Sequence, residues 1–550
     1  MRRLLLGRAG TGKTHACLDL LKDALAEGRR ALLLVPTYSQ AEHLRALLLK
    51  LAPGLWARAV ETFSSLAERA TGMRLRDLLP AAAKDRAARA ALERVFPAAA
   101  PLAGFRAEFL RAVKEIKDQG GDLDDAARHA RAHFPEGSRA APLFEAFDLY
   151  VKAQERRDHE DLLRAAPARG RRDPPALDVL LVDGFHDFTP VEREVLDLLA
   201  ARAASTVVTL PLDPRDRGDP VFRTAARTAA SFPGWDETPL LENRRAEGDL
   251  AALERRLFAD APGPPLREAI EVLACPTEED EADRIARLVA ASGRPCNDFL
   301  VVRRGFEGLH GTYRAAFRRH GVALRFFTAE PLEKSPAARA VSLWLRHVSG
   351  GAELPELLPL LRSPYLLDAP VESECDALAA LLREEGPPPS LEDFRGIRRV
   401  LGEPEGSLEA ELRRRFGVKD ALKRHPDGTE EIARAAQLFR QLLDEARSFA
   451  DLPLAEAAAA VLRRLPLLQA RPFDRRHDCV YAVDAKDARQ WEKPVVICAG
   501  LSADAFPRQV RQDLFLRDDE REAFGAERGV HLPLRAGRED EERYLFYVAL

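Results

Sequence analysis

The first 70 residues alternate between continuous apolar runs and stripes of helical period. Residues 2–6 and 31–35 read as buried strands, and residues 13–27 and 39–51 as helices. Within the first helix Cys17, Leu20, Leu21, Ala24 and Leu25 recur at i, i+3, i+4, i+7 and i+8, and Gly28 supplies the stop. Two fully apolar strands joined through a helix predict a parallel sheet covered on both faces. From 71 to 174 the pattern is helical and rich in Ala and Arg, and strand character returns at 178–182 and 206–210. A helical insertion thus interrupts an α/β domain. The Pro/Gly break at 261–265 precedes a second α/β stretch, with strands expected at 270–275 and 298–302 and helices at 278–291 and 306–320. Helices dominate from 335 to 468, and strands near 480 and at 495–498 complete a second lobe.

Composition narrows the class without naming a function. At 550 residues the chain exceeds the size at which a single core keeps growing, so several domains are expected. Hydrophobic residues make up 46% and charged residues 31%, the balance of a folded protein. The apolar run at 31–35 is far shorter than the ~20 residues a membrane helix needs, so no membrane association is expected. The opening MRRLLLG lacks the apolar core of a signal peptide and reads as strand. The six cysteines form no CxxC pair and no metal-ligand spacing, which favours reduced thiols and a cytoplasmic location. A formal charge of -4, from 84 basic against 88 acidic side chains, means that any polyanion must be held by local basic surface.

One motif carries chemistry. Gly7-Arg8-Ala9-Gly10-Thr11-Gly12-Lys13-Thr14 matches GxxxxGK[ST], directly after an apolar strand and at the start of an amphipathic helix. Glycines let backbone amides curl around phosphate, and the helix N-terminus favours its charge. Lys13 is placed to reach the β- and γ-phosphates, and Thr14 to offer its hydroxyl to Mg²⁺. The strand of LDVLLVDGFHDFTPVEREVL ends in Asp183, the expected magnesium carboxylate. Thr189, Pro190 and Glu192 then read as N-cap, first helical residue and capping-box acid. The residue after Asp183 is Gly184, where hydrolysing enzymes of this sort carry a Glu that acts on the attacking water. Losing a positioned base costs ~10²- to 10⁴-fold in rate. His186 and Asp187 stand close by, as compensating groups, as turn residues or as nucleic-acid contacts.

With these elements in order the chain resembles superfamily 1 helicases of the UvrD/RecB type over nearly its whole length. VPTYSQA at 35–41 is similar to helicase motif Ia and VETFSSLA at 60–67 to motif Ib. By that resemblance Pro36, Thr37, Thr62 and Phe63 are expected to touch single-stranded DNA. FLRAVKEIKDQGG and FDLYVKAQERRDHEDLLRAA resemble the helical 1B insertion, and LLENRRAEGDL resembles motif IV, whose Arg245 would approach the γ-phosphate. VYAVDAKDARQWEKPVVICAGLSADAFP resembles motif V, and EDEERYLFYVAL the start of motif VI. Gly184, the missing Gln after TVVTLPLD, and Asp487-Ala488 where active helicases carry Lys-Gly all depart from the active pattern. Together DGFHDFTP, the LPLD strand followed by VFRTAARTAA, and DAKDARQWE look most like AddB, the second subunit of the bacterial AddAB (RexAB) helicase-nuclease. The resemblance implies a heterodimer with an AddA-like helicase-nuclease subunit, DNA ends as substrate, and a chain that stops inside motif VI. A C-terminal nuclease with its iron–sulfur cluster would lie beyond that point.

Two features keep two readings each. Phe63 is either a base-stacking aromatic or a core aromatic supporting its turn. The segment 301–326 sets Arg303, Arg304, Arg314, Arg318, Arg319 and Arg325 against Glu307, with Phe306, Tyr313, Phe317 and Phe326 interleaved. It is either a nucleic-acid surface or an amphipathic helix with its aromatics turned inward.

The expected architecture is therefore α/β, with two RecA-like P-loop lobes of parallel sheet, each carrying a helical insertion. Residues 1–70 and 171–262 would form lobe 1A, 71–170 insertion 1B, 266–345 and 470–550 lobe 2A, and 346–469 insertion 2B. ATP with Mg²⁺ would sit on Gly7, Gly10, Thr11, Gly12, Lys13, Thr14, Asp183 and Arg245, with Thr14 and Asp183 toward the metal. The expected function is an ATP- and DNA-binding subunit of a helicase-nuclease acting on double-strand ends, with weak or absent hydrolysis of its own. An active UvrD-like helicase and a non-catalytic DNA-binding scaffold are the alternatives.

Overall fold

The triplet Leu4-Leu5-Leu6 forms the buried centre of strand β1 (Arg2–Gly7), and its alternation decides how the first sheet is covered. The structure is a computed structural model. It describes residues 1–51, 59–73, 78–79, 81–119, 123, 126–128, 140–153, 161–165, 176–245, 247–258, 270–383, 390–424, 429–470, 474, 476–503, 505–528 and 532–550. The chain is α/β, with parallel sheet and many helices, and divides into two units. Unit 1 comprises Met1–Pro276, Leu300–Arg304 and Val483–Leu550, and unit 2 comprises Thr277–Phe299 and Gly305–Ala482.

In unit 1, β1 leads through helix α1 (Lys13–Ala26) to β2 (Ala31–Leu34), and α2 (Tyr38–Leu51) to β3 (Val60–Glu61) and α3 (Phe63–Thr71). Helices α4 (Ala81–Val95), α5 (Ala103–Asp118) and α6 (Ala140–Lys152) follow. Strand β4 (Leu177–Val182), helix α7 (Pro190–Arg202) and strand β5 (Ala203–Pro211) then return to the sheet, ahead of α8 (Arg223–Ala230), β6 (Asp236–Pro239) and α9 (Gly248–Arg256). The sheet order is β3-β2-β4-β5-β1-β6, every pair parallel. Leu5, Leu33, Leu181 and Val207 point to one face, where Cys17, Leu18, Leu21 and Ala24 of α1 and Ala41, Leu44 and Leu48 of α2 cover them. Leu4, Leu6, Leu32, Leu34, Leu180 and Val182 point to the other. This period-2 split is what a doubly covered parallel sheet requires.

In unit 2, α10 (Glu278–Ala291) begins with Thr277 as N-cap and four acids in its first turn, a favourable placement at the positive end of the helix dipole. Strand β7 (Phe299–Arg303), which crosses the unit boundary, precedes α11 (His310–Arg319), β8 (Leu324–Phe326), β9 (Glu330–Pro331) and α12 (Pro336–Val348). Shorter helices lead to α13 (Thr429–Arg447), α14 (Leu454–Arg464), β10 (Gln469–Ala470) and β11 (Val480–Asp484). β8 pairs in parallel with β11, and β9 antiparallel with β10. The chain re-enters unit 1 at Val483, within β11, and continues through β12 (Val495–Ala499), α15 (Asp518–Arg528) and α16 (Arg535–Ala549). Tyr544 and Tyr547 of α16 close the second face of the first sheet, and Phe515 and Phe524 join the aromatic core of α5 and α6.

The expected strand at 270–275 is not formed: the segment has no regular structure and Val272 is 89% exposed. An apolar run becomes a strand only beside a neighbour that completes its hydrogen-bond ladder, and no described strand pairs with it. Among the described residues no helix is long and apolar enough to cross a membrane.

Candidate nucleotide-binding site

The turn from β1 into α1 is built by two left-handed glycines. Gly10 has φ +76° and Gly12 has φ +83°, values that cost any other L-residue ~1 to 2 kcal/mol. A Cβ on Gly10 would also stand 2.5 Å from Asn243 Oδ1. Gly12 is the N-cap of α1 and offers no side-chain cap, so the first amides of that helix have no intrahelical partner. Lys13 Nζ folds back to donate to the carbonyls of Gly7 and Arg8, at 2.7 Å each. Burial, with Arg245 nearby and against the pull of Asp183, lowers the Lys13 ammonium pKa to about 8.

The loop is braced from outside. The Arg244 N–H donates to the Gly10 carbonyl at 2.8 Å and the Leu240 N–H to Leu6 at 2.7 Å, which lays the segment 240–245 along the loop. Arg245 itself is exposed, and its N–H donates to Asn243 Oδ1 at 2.9 Å. Behind the loop, Arg8 Nε donates to Glu254 Oε1 at 2.7 Å, and the Ala9 N–H donates to the Tyr547 hydroxyl at 2.8 Å. The Tyr547 hydroxyl donates in turn to Glu254. Thr11 Oγ1 donates to Arg8 O at 2.9 Å and closes the turn.

Asp183, directly after β4 and 2% exposed, gathers donors from α1, from β5 and from the short turn at 488–490. Its Oδ2 accepts from Thr14 Oγ1 at 2.8 Å and from Gln490 Nε2 at 2.6 Å, and its Oδ1 accepts from Thr209. The next residue, Gly184, has φ +85°, and a Cβ there would stand 2.8 Å from Gln490 Nε2 and 3.2 Å from Pro36 Cδ. His186 is buried, its Nδ1 accepting from Arg489 Nη1 at 2.9 Å and its ring stacked on Tyr544 at 4.7 Å. Burial lowers the His186 pKa to about 4. Asp187, 3.4 Å from that nitrogen, has a side chain 60% exposed.

These residues fit a nucleotide phosphate with its cation. The open amides and Lys13 suit the anion, and a hydroxyl with one carboxylate suits a hard cation that keeps most of its waters. Among the described residues no group of three or more His, Cys, Asp or Glu could hold a metal ion alone.

The family model described as ADDB, N-terminal matches residues 4–233, the stretch that contains both halves of this turn. The chain is AddB-like. It is similar to the B-type subunit of the ATP-dependent helicase/deoxyribonuclease of Geobacillus kaustophilus, with 25% identity over 526 residues, 87% of this chain and 43% of that protein. The corresponding proteins of Pelotomaculum thermopropionicum and Desulforudis audaxviator are 27% and 28% identical, each over 63% of this chain and 34% of theirs. The AddB-like chain thus spans between a third and a half of the length of these relatives.

The residues of the AddB-like chain expected to meet DNA lie outside this cluster, apart from Pro36 beside Gly184. Pro36 and Thr37 are half-buried, the Thr37 N–H donating to Gln40 Oε1 at 3.2 Å. Thr62 caps α3 in a capping box with Ser65. Phe63 is 4% exposed, its ring 5.5 Å from Phe185 and 6.4 Å from Phe188, which favours the core reading over base stacking. The basic segment 301–326 also resolves toward the amphipathic reading. Phe306, Tyr313, Phe317 and Phe326 are all buried, Arg304 is bidentate on Glu542, and Arg314 pairs with Glu330 and Glu430. Arg319 pairs with Asp283, and buried Arg325 lies over the Phe327 ring. Cations engaged in this way are not an open track for phosphates.

Sequence reasoning missed Thr209, Glu254, Gln490 and Tyr547. Gln490 reaches Asp183 across 307 positions, and no local pattern marks such a pair. Asp487 and Ala488, which replace Lys-Gly within the DAKDARQWE stretch, open the short turn that carries Arg489 and Gln490 to the site.

Proposed function

We propose that the chain is the nucleotide- and DNA-binding helicase-like part of a two-subunit helicase-nuclease that processes double-strand DNA ends. ATP with Mg²⁺ would be held by Gly7, Gly10, Thr11, Gly12, Lys13, Thr14 and Asp183, with Arg245 beside the outer phosphates. Its partner would be an AddA-like subunit, and Pro36, Thr37 and Thr62 would contribute to a DNA track. In this reading the two α/β regions are RecA-like lobes with helical insertions, as the boundaries drawn from sequence describe. The names of its relatives support the assembly and the substrate class.

The observation that carries the reading is the Thr14–Asp183 hydrogen bond at 2.8 Å, which joins the helix-opening hydroxyl to the strand-ending carboxylate beside an uncapped helix N-terminus. In this arrangement Lys13 would leave the Gly7 and Arg8 carbonyls for the phosphates, and Thr14 and Asp183 would turn to the cation's water shell. ATP hydrolysis by this chain would be weak or absent. Gly184 carries no base, and the His186 nitrogen that faces Arg489 already accepts its proton.

ATP turnover by the chain, with and without single-stranded oligonucleotide, tests the proposal alongside gel shifts. Oligonucleotide binding with turnover near background is expected. Turnover that DNA strongly stimulates and Lys13→Ala abolishes would instead make it an active helicase with another base, for which exposed Asp187 is the candidate.

A further inference from the structure

Gln490 stands against Asp183 and Gly184, and although it lies in the stretch that resembles motif V, the proposed function gives it no task. The Asp183 carboxylate is held by three neutral donors. Thr209 fixes Oδ1. Oδ2 is shared by Thr14, which is itself a candidate cation-side group, and by Gln490, which has no such competing duty. Gln490 is 5% exposed, and its amide lies against Gly184, where a Cβ would come within 2.8 Å of Nε2 and 3.0 Å of Cδ. The missing side chain at 184 is therefore what admits the amide. Its neighbours fix it on both sides. Arg489 Nη1 donates to Gly184 O at 3.3 Å and to His186, and the Trp491 ring stacks on His43 of α2 at 4.1 Å.

We propose that Gln490 is a positioning residue for Asp183: it holds Oδ2 turned toward Thr14 and so sets how far magnesium strengthens nucleotide binding. This rests on the nucleotide reading above. Outer groups that orient a metal-side ligand affect metal affinity by ~10- to 100-fold when removed. Asp183 and Gln490 act as one unit with Gly184, because a side chain at 184 and the amide of 490 claim the same space.

Calorimetric titration of the 550-residue chain with adenylyl imidodiphosphate, in magnesium and in EDTA, tests this. The readout is the ratio of the two affinities. Gln490→Ala is expected to lower that ratio by about tenfold, or ~1.4 kcal/mol. Gln490→Glu, nearly isosteric, replaces the Nε2 donor with an acceptor, so its ratio is also expected to move away from the wild-type value. A merely structural Gln490 would lower both affinities in step and leave the ratio alone. Circular dichroism checks that the alanine variant folds, and the glutamate variant carries the test if it does not. Wild-type ratios in both variants would overturn the assignment of Gln490 while leaving the nucleotide reading intact. Failure of the wild-type chain to take up the analogue would bring down the nucleotide reading itself, and the assignment with it.

Discussion

Two strand-to-helix turns of unit 1, after β1 and after β4, treat their helices in opposite ways. The turn after β4 closes on itself. Thr189 accepts from the Glu192 N–H while Glu192 reaches back to the Thr189 N–H, and Pro190 fills the first helical position, so α7 is capped by its own sequence. The turn after β1 does not. Gly12 brings no cap to α1, and Lys13 folds onto carbonyls of its own loop. A helix end of this size without internal partners is a place for a ligand, whereas the capped end is a place for structure. The same contrast runs through the acids. Asp183, which opens the turn after β4 but bonds to Thr14 of α1, is buried among donors, whereas Asp187 further along that turn is exposed.

The largest effect expected from breaking this contrast comes from Gly184→Glu. The left-handed φ alone costs ~1 to 2 kcal/mol, and the Gln490 amide stands where the new Cβ must go. Thermal or denaturant unfolding should show a loss of about 2 kcal/mol or more, with no ATP turnover gained. A stable variant that hydrolyses ATP would mean that only the base is missing. Next is pH. Burial lowers the Lys13 pKa to about 8, so its ammonium is lost as pH rises through that value and is intact below it. Nucleotide affinity should therefore hold from pH 6.5 to 7.5 and fall above 8, by up to about tenfold per pH unit. Thr189→Ala is expected to have the smallest effect. It should cost ~1 kcal/mol of stability for the lost cap and leave nucleotide affinity unchanged, which separates the two turns in one variant.

Much of unit 1 was legible because its strands are buried on both faces. The runs at 2–6, 31–35 and 178–182 form strands within a residue or two of those bounds, and α1 begins at Lys13 as expected. The buried stripe of α1 differs slightly, with Leu18 fully buried and Leu20 and Leu25 only partly so. Strand β6, Asp-Glu-Thr-Pro, carries no apolar signal at all and exists as an edge strand paired to β1. The run at 270–275 shows the reverse, an apolar pattern without a paired neighbour. In the site, the loop and Asp183 were readable because the motif is local. The Gln490 amide, the Tyr547–Glu254 brace and the ion pairs of the arginines at 301–326 were not, since each depends on residues far away in sequence.

The role proposed for this chain depends on whether the open turn at Lys13 takes up a nucleotide. Isothermal titration of the chain with Mg-ATP, beside Lys13→Ala, is the direct measurement. One-to-one uptake by the wild type, weakened about 100-fold in the variant through loss of charged hydrogen bonds, is the expected result. No uptake by the wild type, or equal uptake by both, would contradict it.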